Sequence, residues 1–151
     1  MKNFQLFDRK SLIINPLSMR KHDLDISVVK DLSADKNLFT DKRIKTVAER
    51  IIDAKRNNAA VIMMMGGHVV RAGVQRHIID LMEKGYISCL SMNGSVMIHD
   101  FEFALIGATT ESVARYIKEG QFGLWKETGQ INDIINEAYK NGMGMGEAIG
   151  E

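Results

Sequence analysis

The 151-residue sequence is short of cysteine, proline and net charge, and each shortage excludes something. A single cysteine, Cys89, rules out an internal disulfide and a cysteine-built zinc site. It sits inside an apolar segment and reads as a small core residue in a reducing cytoplasm. The one proline, Pro16, leaves no room for a proline-rich linker and halts the short apolar run before it. A net charge of +1 argues against nucleic acid as a partner. No apolar run approaches the ~20 residues that cross a bilayer, so no membrane span is expected. MKNFQLFDRK has no apolar core ahead of a cleavage site, so no signal peptide is read. The four histidines show no H-x-x-x-H spacing, and no metal site is expected.

What is present is the composition of an ordinary globular chain, 45% hydrophobic and 26% charged, with ten methionines. Most of the methionines fall in apolar segments and read as core filler. Residues 1–39 are irregular, an arm with one short strand expected at Ile26–Val29. Thr40 is a plausible N-cap. Ile44, Val47, Ala48, Ile51 and Ile52 then recur at helical spacing, on a helix whose charges read as a solvated face. AAVIMMM and ISCLSM are continuous apolar runs, read as strands buried on both faces of a parallel sheet. The first ends at Gly66-Gly67 and the second at Asn93-Gly94. Between them Val70, Val74, Ile78, Leu81 and Met82 mark one helix face, stopped by Gly85. Strand, helix and strand within ~30 residues make a βαβ unit. His99–Ile106 reads as a short helix, with Thr110, and Ser112 and Glu111 nearby, capping the next one. Gly120 and Gly123 break that helix. Ile131, Ile134, Ile135 and Ala138 mark another, ended by Asn141-Gly142, and MGMGEAIGE opens a further turn. Trp125 and Phe122 read as a core or subunit contact, or as a stacking surface for a ligand. The fold expected is α/β, Rossmann-like and three-layered around a parallel sheet. Two firm strands are few for such a sheet, so the fold is expected to be incomplete in this chain.

Two constellations carry the chemistry. Gly66, Gly67 and His68 follow the first strand, with Gly73 further along the helix. Glycine admits close approach, and the helix start offers unpaired N–H groups to an anion such as a pyrophosphate. The same residues also read as a tight turn, and Gly73 as a packing contact. Asn93, Gly94 and Ser95 follow the second strand, then His99, Asp100 and Glu102. Parallel strands place both turns at their carboxyl edge, where open α/β sheets take ligands. There His99 with Asp100 suits acid–base chemistry or the binding of an amine. Alternatively, Asp100 caps its helix and His99 packs. Thr109, Thr110 and Glu111 cap a helix most simply, or face the cleft.

The stretch AVIMMMGGHVVRAGVQRHIIDLMEKGYISCLSMNGSVMIHDFEFALIG resembles the central region of deoxyhypusine synthases, at the level of fold and motif. GATTESVARYIKEGQFGLWKETG resembles a bacterial deoxyhypusine synthase-like branch, and that likeness runs along the whole chain. The resemblance implies a Rossmann-like NAD-binding domain over 40–151 behind the arm at 1–39, and a cytoplasmic homotetramer. It also implies NAD-dependent transfer of an aminobutyl group from a polyamine to an amine acceptor. By the same resemblance Gly67, His68, Asn93 and Gly94 meet NAD, and the glycine turn read from the residues adds Gly66 and Gly73 to that site. His99 and Asp100 act in catalysis, and Asp100 and Glu102 hold the polyamine. Gly-His stands where the family has Ser-Asn, and His99 where it has an acid. The family's catalytic lysine falls outside the chain, so a companion C-terminal segment or chain is expected. The alternative reading is a non-catalytic nucleotide-binding or assembly module that keeps the fold.

Overall fold

A computed structural model describes residues 8–33 and 41–151. Its contacts divide the chain into two units, residues 1–23 with 110–151, and residues 24–109.

The second unit holds the βαβ motif. Helix α1 (Lys42–Arg56) begins at Asp41, whose carboxylate accepts from the Arg43 N–H at 2.8 Å. Thr40 lies outside the described residues. Strands β2 (Ile62–Met65) and β3 (Cys89–Met92) pair in parallel, in register from Ile62 opposite Cys89 to Met65 opposite Met92. The single helix expected between them is two, α2 (Gly67–Arg71) and α3 (Gln75–Glu83). Gly73 divides them at φ +75°, a left-handed conformation that breaks the helical ladder. A Cβ there would stand 1.9 Å from the Val28 carbonyl oxygen. Gly73 in turn accepts from the Lys30 N–H at 2.8 Å.

Helix α4 (Gly94–Ile106) starts directly after β3, five residues earlier than the pattern suggests. It packs on α2, and Val70, Val96 and Phe103 form the core there, with Leu24, Val28 and Met65 against them. Only one side of the sheet is covered this way. Strand alternation puts Ile62, Met64, Cys89 and Ser91 on the other side. Ile62 is 62% exposed, Met64 80%, and Cys89 is exposed as well. The expectation of strands buried on both faces, with Cys89 and the methionines in the core, is therefore corrected. Among the described residues no layer covers that face.

The chain passes between the units in β1 (His22–Asp25) and β4 (Ala108–Glu111), which pair in a two-stranded sheet. The strand expected at Ile26–Val29 is instead a 3-10 turn over Ile26–Val28, just past β1. Its Asp25 cap accepts from the Ser27 N–H, which holds the Asp25 carboxyl below the usual carboxylate range.

In the first unit, α5 (Val113–Lys118) is capped by Ser112, one of the three residues expected to cap it. Helices α6 (Lys126–Lys140) and α7 (Met145–Gly150) follow. Leu17, Tyr116 and Trp125 form the core of this unit, and the two rings meet edge to face at 5.2 Å. Polar bonds fix the cluster. The Trp125 indole N–H donates to Glu111 at 2.8 Å, and the Lys21 N–H donates to the Tyr116 hydroxyl at 2.8 Å. Trp125 and Tyr116 are buried and Phe122 is 46% exposed, so the aromatic pair that forms is Trp125 with Tyr116.

Candidate functional site at the carboxyl edge of the parallel strands

The two turns expected to converge do so. Gly66 is the N-cap of α2 and Asn93 the N-cap of α4, and parallel pairing sets them side by side. The Gly67 N–H donates to Ser95 Oγ at 3.1 Å, and Ser95 Oγ donates to Asn93 Oδ1 at 2.7 Å. Close approach needs the glycine. A Cβ on Gly67 would lie 2.7 Å from His99 Cδ2 and 2.9 Å from Ser95 Oγ.

Helix α4 supplies the reactive face. The Asn93 side chain does not cap its N-terminus, so the leading N–H groups of a thirteen-residue helix are left for an anion. One turn further on, His99 Nδ1 lies 2.9 Å from Thr109 Oγ1. Thr109 Oγ1 donates to Glu102 Oε2 at 2.7 Å. A hydroxyl has one proton, and here it goes to the carboxylate, so Nδ1 must be the donor to Oγ1. In the neutral ring this is the Nδ1–H tautomer, whose Nε2 is the acceptor. Cδ2, the carbon beside Nε2, is the atom nearest Gly67, so the Nε2 edge lies toward the glycine turn. Thr109 is 0% and Glu102 1% exposed, so that end of the relay is held dry, while His99 is half-buried.

The remaining expected residues are placed apart. His68 is exposed, with Nε2 3.4 Å from an Arg71 nitrogen. Gly73 lies against Val28, and that contact accounts for its being glycine. Asp100 does not join His99. It lines a separate cavity of about 520 Å³ with Arg76 and Phe103, where Arg76 pairs with Asp31. Glu102, expected to meet substrate, is instead the buried end of the relay. Thr109 is the residue that sequence reasoning left as a helix cap. The β-branched pair Thr109-Thr110, two residues past the helix-ending Gly107, was the signal for a strand there. No group of metal-ligating side chains occurs among the described residues, and no helix among them is long and apolar enough to cross a membrane.

Two parallel strands, each ending in a helix N-terminus at one shared edge, define a Rossmann-type α/β domain. A family model described as arginine dihydrolase ArgZ-like, C-terminal, Rossmann fold matches residues 45–146, and the chain belongs to that family. No curated protein and no solved structure matched the chain. The match overturns the deoxyhypusine synthase resemblance, and with it the transfer of an aminobutyl group from a polyamine. It gives no support to the non-catalytic alternative either. The residues behind that resemblance were strand, glycine turn and helix start. Those features serve phosphate-bearing ligands in Rossmann folds generally, so they tracked the fold and not the family.

Proposed function

We propose that the chain binds a dinucleotide of the NAD type at the edge shared by β2 and β3, and that His99 moves a proton beside it. The observation carrying this reading is the Gly67 N–H to Ser95 Oγ bond, which ties both glycine turns into one surface. The residues fit such a group. The uncapped start of α4 suits a pyrophosphate, Gly94 leaves open space there, and Gly67 lets the two turns close together behind it. Asn93 and His68 border the same turns. When bound, the nicotinamide supplies hydride chemistry. His99 Nε2 takes or returns a proton at the substrate, while Thr109 and Glu102 hold the ring and stabilise its charged form. The family's description names an arginine dihydrolase, and we extend it only to a nitrogen-bearing amino-acid substrate.

The reading includes a three-layer arrangement, in which further parallel strands join β2 and β3 in the assembled protein. It also includes a reducing cytoplasmic setting, suited to an exposed lone thiol. Calorimetric titration with NAD tests it. Binding at micromolar to sub-millimolar concentration, weakened at least tenfold by Gly94→Val, is expected. No heat up to about 1 mM NAD would sink the reading, since cofactor sites work well below that range.

A further inference from the structure

Among the described residues nothing covers an apolar groove along helix α1. Ile44, Val47 and Ile51, with Leu81 and Tyr86 across from them, line a cavity of about 350 Å³ whose walls are almost wholly apolar. Ile44 is 53% and Val47 56% exposed. The groove runs on toward the start of α1, where Ile44 and Val47 line a second hollow beside Asp41 and Arg43.

The charges on α1 are arranged around this groove. The helix carries six basic residues against Glu49 and Asp53. At 3.6 residues per turn, Arg43 and Arg50 flank the stripe on one side. Lys45 and Arg56 flank it on the other; Glu49 lies about as far round from the stripe as Arg50, and Asp53 falls on the far side. Arg43, Lys45 and Arg56 reach acids on their own helix or cap, at 2.6, 3.8 and 3.4 Å. Lys42 and Arg50 meet no acidic partner among the described residues.

We infer that this groove docks an amphipathic helix whose apolar stripe is bordered by acidic residues. The groove is concave, which accepts the ridge of a helix and suits a lipid interface poorly. Its flanks are cationic, which sets a second copy of α1 against like charge. An acidic-bordered helix meets both features, in the helix-in-groove mode.

The test uses the full chain and two fluorescent model peptides of about 18 residues, a length that forms a helix on docking. Both carry leucine at i, i+3, i+4 and i+7, one with glutamate and one with lysine borders. Anisotropy should show the glutamate peptide binding with a Kd of tens of micromolar, and the lysine peptide at least tenfold weaker. Raising salt should weaken the first selectively. Val47→Asp should abolish binding without changing the far-ultraviolet spectrum, since Val47 is exposed. Arg50→Glu should narrow the preference between peptides severalfold. Equal binding of both peptides, no binding near 1 mM, or binding unmoved by Val47→Asp would overturn the inference. So would co-sedimentation with phosphatidylserine–phosphatidylcholine vesicles that Val47→Asp removes, which would assign the face to lipid.

Discussion

Gly67→Ala sets two effects of opposite sign against each other. Gly67 is the first residue of α2, and its backbone does not need a left-handed conformation. Propensity alone therefore favours alanine by ~0.5–1 kcal/mol. The packing opposes it. The new methyl would stand 2.7 Å from His99 Cδ2, 2.9 Å from Ser95 Oγ and 3.0 Å from the Ser95 carbonyl oxygen. Restoring ordinary contact with the ring needs a retreat of roughly 0.7 Å. A shift of that size takes a 2.9 Å hydrogen bond out of range, or drives the ring into fully buried Thr109. Overpacking of this kind costs ~1–3 kcal/mol, so packing wins and the net loss is ~1–2 kcal/mol. For a chain of this size that lowers Tm by about 2–8 °C. Thermal unfolding followed by circular dichroism reads the loss, and NAD titration should show at least tenfold weaker binding. Gly129→Ala is the control, because Gly129 lies inside α6 with nothing within 4 Å of its Cβ position. It should raise stability by ~0.5–1 kcal/mol. If Gly67→Ala matched the control in sign, the close packing of the two turns would be refuted.

Other substitutions probe the relay and the caps. Thr109→Val removes a buried donor to Glu102 and the acceptor for His99, and should cost ~2–3 kcal/mol in denaturant unfolding. A loss under about 0.5 kcal/mol would mean the relay is not formed. Tyr116→Phe removes the acceptor for the Lys21 N–H and should cost ~1 kcal/mol. Trp125 is the one tryptophan and is buried in the first unit, so its fluorescence reads that loss for this unit alone. The Arg43 side chain, then its N–H, hold the Asp41 carboxyl below the usual carboxylate range. A folded pKa below the unfolded one adds stability above the unfolded value near 4, and the gain disappears as pH falls through the folded value. Asp41→Ala should therefore reduce helicity at pH 7, and by less at an acid pH below the folded value. An equal deficit at both pH values would show that the carboxylate's charge plays no part.

Local signals in the sequence carried the βαβ unit well. Continuous apolar runs ended by glycine placed β2 and β3, and Gly85, Gly107 and Gly120 stop helices with φ above +60°. What was hidden depended on contacts far apart in sequence. The need for glycine at the Gly73 break comes from Val28, forty-five residues earlier, which no periodicity records. Thr109 became the centre of the relay because β4 brings it under α4, and its sequence neighbours read equally well as a cap. His99 and Asp100 looked like a pair because they are adjacent. Adjacent residues on a helix point about 100° apart, so one entered the relay and the other a different cavity. Burial of the strands was overestimated, since an apolar run shows that a side chain prefers cover and says nothing of where the cover comes from.

The lone cysteine makes the uncovered sheet face addressable. Cys89 stands opposite Ile62 at the start of β3, exposed, with no competing thiol anywhere in the sequence. A maleimide dye or spin label would attach at one defined point of the parallel pair. The label would follow the strands at their amino ends, while NAD is offered at their carboxyl ends. Any layer that later covers this face would first be seen as a thiol that stops reacting.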